Sequence, residues 1–210
     1  METSIVSHRF RNWMVWTLLS LAVIPLTYIV SLIVVLLVHG AFGFNQMEGG
    51  TYLSQTAMQV AGGAVIGLGT SLYQRALLGK HFTMPASWIY FAIAGFAISE
   101  FIICLVLWQM HLNRWQLRFI EFNPLPEALF FAIAGLITGM LQWTILRKYF
   151  SGSGYWILAN LTGWGICVLV TVFSIWAFFA GALIYGLITG AVIYRVLKVK
   201  QGAGMPVYKE

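Results

Sequence analysis

Four polar side chains interrupt otherwise apolar stretches of this 210-residue chain: Gln74, Glu100, Gln142 and Asn160. Glu100 is the one acidic residue deep inside such a stretch. A carboxylate facing lipid at mid-bilayer costs roughly 2.5–3.5 kcal/mol or more, so an acid placed there is a functional candidate by default. No Lys or Arg falls at similar depth in the other apolar stretches. The sequence therefore favours a neutral, protonated Glu100, because desolvation penalises the charged form. Ser99 and Asn160 are its candidate neighbours. Ion or proton handling, and contact with a bound cofactor or partner subunit, are the alternatives to a neutral structural acid. A glutamine in a membrane helix can bond a neighbouring backbone or side chain, worth about 0.6–2 kcal/mol. Gln74 and Gln142 most simply staple helix contacts, with ligand contact as the other reading.

The remaining chemistry is sparse. His39 and His111 belong to one boundary of the apolar stretches, where a haem or chlorophyll ligand is conceivable. No two histidines sit four apart on one helix, so interfacial histidines without a ligand are the simpler reading. Cys104 and Cys167 lie in apolar runs with no CxxC or Cys/His partner, which suits small core residues rather than a metal or redox site. The chain has no Asp, no HExxH, no GxSxG and no nucleotide-binding loop. No metal site and no enzymatic activity are expected, and no cofactor is required. Chlorophyll, haem or a quinone remain possible ligands.

The elements that must position these residues are set by composition. The chain is 60% hydrophobic and 9% charged, with a mean hydropathy of +0.84. Soluble domains carry about 25% charged residues, so an all-α integral membrane bundle is expected, forming one transmembrane domain over residues 1–210. Six spans are predicted: 13–38, 56–78, 86–110, 126–147, 155–175 and 180–198, followed by a tail over 199–210. The first, Trp13 to Val38, is too long for a cleavable signal core. Its 26 residues reach about 39 Å, beyond a hydrocarbon core of about 30 Å, which calls for tilt or a kink at Pro25. Basic residues fall almost wholly on one side: Arg9, Arg11, Arg75, Lys80, Arg147, Lys148, Arg195, Lys198, Lys200 and Lys209, against Arg114 and Arg118. Positive charge marks the cytoplasmic face, so both termini are expected there. Their position at helix ends explains the net charge of +6 through lipid headgroups and topology, without nucleic acid. Trp88 and Trp156 open two spans and, with Trp108 and Trp115 at the opposite boundary, read as interfacial anchors.

Internal repetition then groups the spans. Displaced by 68 positions, Gly67 falls on Gly135, Gln74 on Gln142, Leu78 on Leu146, Trp88 on Trp156 and Gly95 on Gly163; the run Gly135–Gly139 reappears as Gly186–Gly190. The pattern predicts parallel helical hairpins: one over 56–110, a second over 126–178, and a partial third over 180–198. The N-terminal helix 1–38 could complete the third, with Trp13 to Ser20 echoing Trp88 to Gly95. Small residues recur four apart: Gly63, Gly67 and Ser71; Gly135 and Gly139; Ala182, Gly186 and Gly190. That spacing lets helix backbones approach closely in lipid. In the third copy the glutamine position holds Ile193, so a full ring of amides is not expected.

The run Gly139-Met140-Leu141-Gln142-Trp143-Thr144-Ile145-Leu146-Arg147, with its Trp-opened return helix, resembles a group of bacterial repeat membrane proteins best represented in cyanobacteria. The likeness spans residues 60–198 and departs in the first copy, where Gln74-Arg75 replaces Gln-Trp. No activity is established for that group. The resemblance implies architecture and hints at a bacterial inner membrane or a thylakoid-type, energy-transducing one.

The segment Phe173–Gly181, with Trp176, Phe178 and Phe179, carries no charge. Read as a hairpin tip, it should be covered by another subunit, since exposed apolar patches mark contact sites. These features suggest a non-catalytic accessory or scaffold subunit that packs among lipids against other membrane subunits or further copies of itself. The alternatives are a small transporter or channel using Glu100, and a pigment- or quinone-binding protein.

Overall fold

The structure is a computed structural model that describes residues 2–41, 52–79, 84–109, 125–171, 175–196 and 198–199. Among these residues six α-helices follow one another: α1 (Glu2–Ala41), α2 (Tyr52–Leu78), α3 (Ser87–Gln109), α4 (Leu125–Tyr149), α5 (Tyr155–Thr171) and α6 (Ile175–Ala191). Among the described residues the only regular structure besides helix is one short pairing of β1 (Phe150–Ser151) with β2 (Lys198–Val199). Four segments are long and apolar enough to cross a membrane: Arg11–Ala41, Ser87–Gln109, Leu125–Tyr149 and Ala177–Tyr194. Tyr155–Val170 is apolar but shorter.

Helix α2 is absent from those four for a packing reason. It carries glycines on two faces. Gly62 and Gly69 lie against Ser31, Val35 and Thr27 of α1, while Gly63 and Gly67 lie against Phe96, Glu100 and Ala92 of α3. A helix wedged between two close neighbours trades large apolar side chains for small ones, which lowers its hydropathy without exposing it.

Each helix packs on its neighbours in the chain, and α1 packs on α6, so the six close into a ring. One end of that ring gathers Trp16 from α1, Trp88 from α3 and Trp156 from α5, near the starts of their helices. With them lie Tyr73, Leu77, Leu78, Ile145, Leu146 and Ile193, from the far ends of α2 and α4 and just past α6. Neighbouring helices therefore alternate in direction, and α2, α4 and α6 share one sense. The antiparallel register Phe150↔Val199 and Ser151↔Lys198 ties the chain after α4 to the chain after α6 at this same end. A second cluster, centred on Phe96, Phe131, Trp164 and Tyr185, fills the middle of the ring.

Several boundaries differ from the sequence expectation. Helix α6 begins at Ile175, so Trp176, Phe178 and Phe179 belong to a helix and not to a hairpin tip. The connection from α5 shrinks to residues 172–174, which lie outside the described residues. At the other end α6 stops short of residue 198. A π turn over Val192–Val196 precedes β2, which redirects the chain toward β1. Helix α1 continues through Pro25. The loop residues Trp115, Arg114 and Arg118 lie outside the described residues.

Candidate functional site

The ring interior is filled in layers. In the first, Trp16, Trp88 and Trp156 are each 0% exposed, which corrects the reading of Trp88 and Trp156 as interfacial anchors. Helices α1, α3 and α5 are not adjacent in the ring, so their indoles meet across its inside. Trp156 stands 5.7 Å from Trp88 and 6.3 Å from Trp16, ring centre to ring centre. The physical reason is size: six helices leave an axial space that only large side chains fill, and dry packing outweighs the indole preference for the interface. Trp108 does stay at the surface, 46% exposed.

A chain of hydrogen bonds runs through the next layer. Gln74 Nε2 donates to the Tyr185 hydroxyl at 3.1 Å, and that hydroxyl donates to Asn160 Oδ1 at 3.1 Å. Asn160 Nδ2 donates to the Trp156 carbonyl at 2.9 Å, and Trp156 Nε1 donates to Gln142 Oε1 at 2.9 Å. Three of the four polar residues flagged by sequence thus lie in one network joining α2, α6, α5 and α4. Beside it, Ser20 Oγ donates to the Trp16 carbonyl, and the Tyr73 hydroxyl pairs with Ser20 Oγ, both at 2.9 Å. Trp16 Nε1 donates to Thr189 Oγ1 at 3.0 Å. Buried polar groups require such partners. Trp88 Nε1, Thr138 Oγ1 and Gln142 Nε2 have none among the described residues.

Glycines set the distance between helices at this level. Gly67 abuts the backbone of Ala92, four residues after Trp88. Gly135 abuts Asn160, four after Trp156, and Gly186 abuts Thr17 and Ser20, the latter four after Trp16. A methyl group on Gly67 would lie 2.5 Å from the Ala92 carbonyl oxygen, so only glycine permits this approach. Gly139 meets Ile157 of α5, Gly190 meets Trp13 and Trp16 of α1, and Ser71 and Ala182 are fully buried. It is Trp16 rather than Trp13 that stands in the place of Trp88 and Trp156. Trp13 is half-buried and donates to the Leu187 carbonyl at 3.2 Å.

Glu100 stands apart from this network. It is 4% exposed and lines a partly open chamber of about 100 Å³ between α1, α2, α3 and α4, with Tyr28, Ser31, Gln59, Gly62, Gly63 and Phe131. Gly63 makes room for its side chain: a methyl group there would sit 2.7 Å from Glu100 Cγ. Gly62 does the same for Ser31, whose hydroxyl donates to the Gly62 carbonyl at 3.0 Å. Of the expected neighbours of Glu100, Ser99 bonds its own Phe96 carbonyl, and Asn160 belongs to the Tyr185 network. The chamber is well below the roughly 300–1,000 Å³ of drug-sized sites, so it does not enclose a macrocycle.

The other flagged residues are dispersed. His39 lies half-buried in the last turn of α1, and His111 lies outside the described residues. Phe178 stacks on Tyr28 with ring centres 4.9 Å apart, while Phe179 is 43% exposed. Cys167 is buried and Cys104 half-buried, and no group of metal-ligating side chains occurs among the described residues. Sequence reasoning passed over Tyr73, Tyr185 and Ser31, whose hydroxyls look like filler within apolar runs, and took Ser20 only as a spacing mark. It also passed over Glu127, 4% exposed in the first turn of α4. The signal for Glu127 was present: Pro126 followed by an acid marks a helix start, where the macrodipole favours negative charge. The chain matches no family model, no curated protein and no solved structure.

Proposed function

We propose that the protein is a non-catalytic integral membrane subunit. Its six helices would all cross the bilayer as three parallel hairpins (α2–α3, α4–α5 and α6–α1) around a sealed axis. The observation that carries this reading is the plug formed by Trp16, Trp88 and Trp156, each wholly buried. Beneath it the Gln74–Tyr185–Asn160 chain and the Phe96–Trp164 edge contact at 5.0 Å occupy the space an aqueous path would need. The recurrence of glycine against the residue four after each tryptophan supports the three-hairpin arrangement. The exterior supports a membrane setting: Leu26, Leu36 and Leu37 of α1 are 61–67% exposed, and Tyr90 and Phe101 of α3 are 66% and 53% exposed. Faces of this kind require lipid or another subunit. The basic residues near the tryptophan end of the ring, Arg11, Arg75, Arg147 and Lys148, support a cytoplasmic side for both termini, and the resemblance of the repeat to cyanobacterial membrane proteins supports a bacterial inner membrane or thylakoid-type membrane. Within that membrane the subunit supplies packing surface to a larger assembly or to further copies of itself.

Purification in a mild detergent, followed by mass spectrometry, an absorption spectrum and a flux assay in proteoliposomes, tests the reading. Stable co-purifying subunits or a defined homo-oligomer, with no solute flux, are the expected result. A lone particle that conducts ions or solute overturns it.

A further inference from the structure

The chamber around Glu100 lies among four helices, α1 to α4, and polar side chains of three of them line it. Adjacent glycines, Gly62 and Gly63, form its floor on α2, and a methyl group on either would strike a polar side chain, Ser31 Oγ at 2.9 Å or Glu100 Cγ at 2.7 Å. The lining therefore keeps a buried carboxyl and a buried hydroxyl beside an open volume of about 100 Å³. Gln59, one turn before Gly63 on the same helix face, adds an amide. Among the described residues the lining holds this one acid and no Lys, Arg or His. Two rings complete it, Tyr28 and Phe131, and Tyr28 is steadied by Phe178 at 4.9 Å.

Size and chemistry together narrow the occupant. The space admits a few waters, enough for an ammonium group with one or two carbons. A primary ammonium has three N–H donors and a positive charge. A carboxylate, an amide oxygen and hydroxyl oxygens accept those donors, and aromatic faces attract the cation. Leu32, which also lines the chamber, is 46% exposed, so the rim is apolar and continues onto the outer face of α1. A group arriving there comes attached to something at home in lipid. We propose that this chamber is a binding site for the primary ammonium of an amphiphile, either an aminophospholipid headgroup or a free alkylamine. The site is separate from the sealed axis and stands whether or not the scaffold reading holds.

Detergent-purified full-length protein is titrated with hexylamine, with phosphatidylethanolamine in mixed micelles, and with hexanol and phosphatidylglycerol as controls, reading the unfolding midpoint. Saturable stabilisation by hexylamine or phosphatidylethanolamine but not by the controls is expected. Response to both identifies the headgroup as the source, and response to hexylamine alone identifies a free amine. E100Q should weaken the response at least tenfold, while E100D retains most of it. Should E100Q fold poorly, Q59L provides the same comparison, with a several-fold loss expected. Equal stabilisation by hexanol and hexylamine, no response to either amine, or full binding by folded E100Q overturns the proposal.

Discussion

At the residue scale, the buried hydrogen bonds separate side chains that look alike in sequence. Gln142 and Thr138 stand one turn apart on α4, both buried. Gln142 Oε1 accepts the only hydrogen bond drawn from Trp156 Nε1, whereas Thr138 Oγ1 has no partner among the described residues. Removing one partner of a buried pair strands the other, at a cost of about 1–3 kcal/mol. Q142L is therefore expected to lower stability by about that amount, and T138V to leave it unchanged or slightly raised, as measured by reversible unfolding in detergent. Equal losses for the two would contradict the assignment. Legibility in sequence followed the same division. Glu100, Gln74, Gln142 and Asn160 stand out because polar groups are rare in apolar runs. Tyr185, which links Gln74 to Asn160, does not, because a tyrosine reads as apolar bulk until its hydroxyl is placed.

Helices and their contacts were legible where spacing alone determines them. Glycines four apart on α2, α4 and α6 do lie against the following helix, or against α1 in the case of α6. G135V is expected to disrupt the α4–α5 contact and lower stability by several kcal/mol, since its β-carbon meets the Asn160 backbone, about the upper range for overpacking. G154A, in open space before α5, should be tolerated. Thermal unfolding of the two variants side by side decides the matter, and equal midpoints would refute close backbone packing. Two features were not legible. The apolar run around Trp176 reads equally as tip or helix, because periodicity cannot locate a boundary within uniformly apolar sequence. The pairing of Phe150–Ser151 with Lys198–Val199 joins segments too short to carry an alternating pattern.

On the scale of the whole molecule, composition established the all-helical class, while the burial of Trp88 and Trp156 depended on ring closure by α1 and α6. Without that closure, a tryptophan at a span start belongs at the interface. W156A should cost about 3–5 kcal/mol, as large core truncations do, and exceed the cost of W108A, because Trp156 is wholly buried and Trp108 is 46% exposed. Unfolding midpoints read this directly, and a smaller loss for W156A would argue against a filled axis.

Closure of the ring is tested most directly by a crosslink between α1 and α6. A β-carbon on Gly186 would lie 2.8 Å from that of Ser20 and 2.9 Å from the Thr17 α-carbon, so a disulfide between the two, with β-carbons about 3.8 Å apart, forms once α1 and α6 move apart by about 1 Å. With Cys104 and Cys167 replaced by alanine, S20C and G186C are introduced together with a protease site within residues 110–124. After mild oxidation in the membrane and cleavage, the two halves should remain joined until reductant is added. Halves that separate without reductant, in protein that is otherwise folded, would contradict a closed ring.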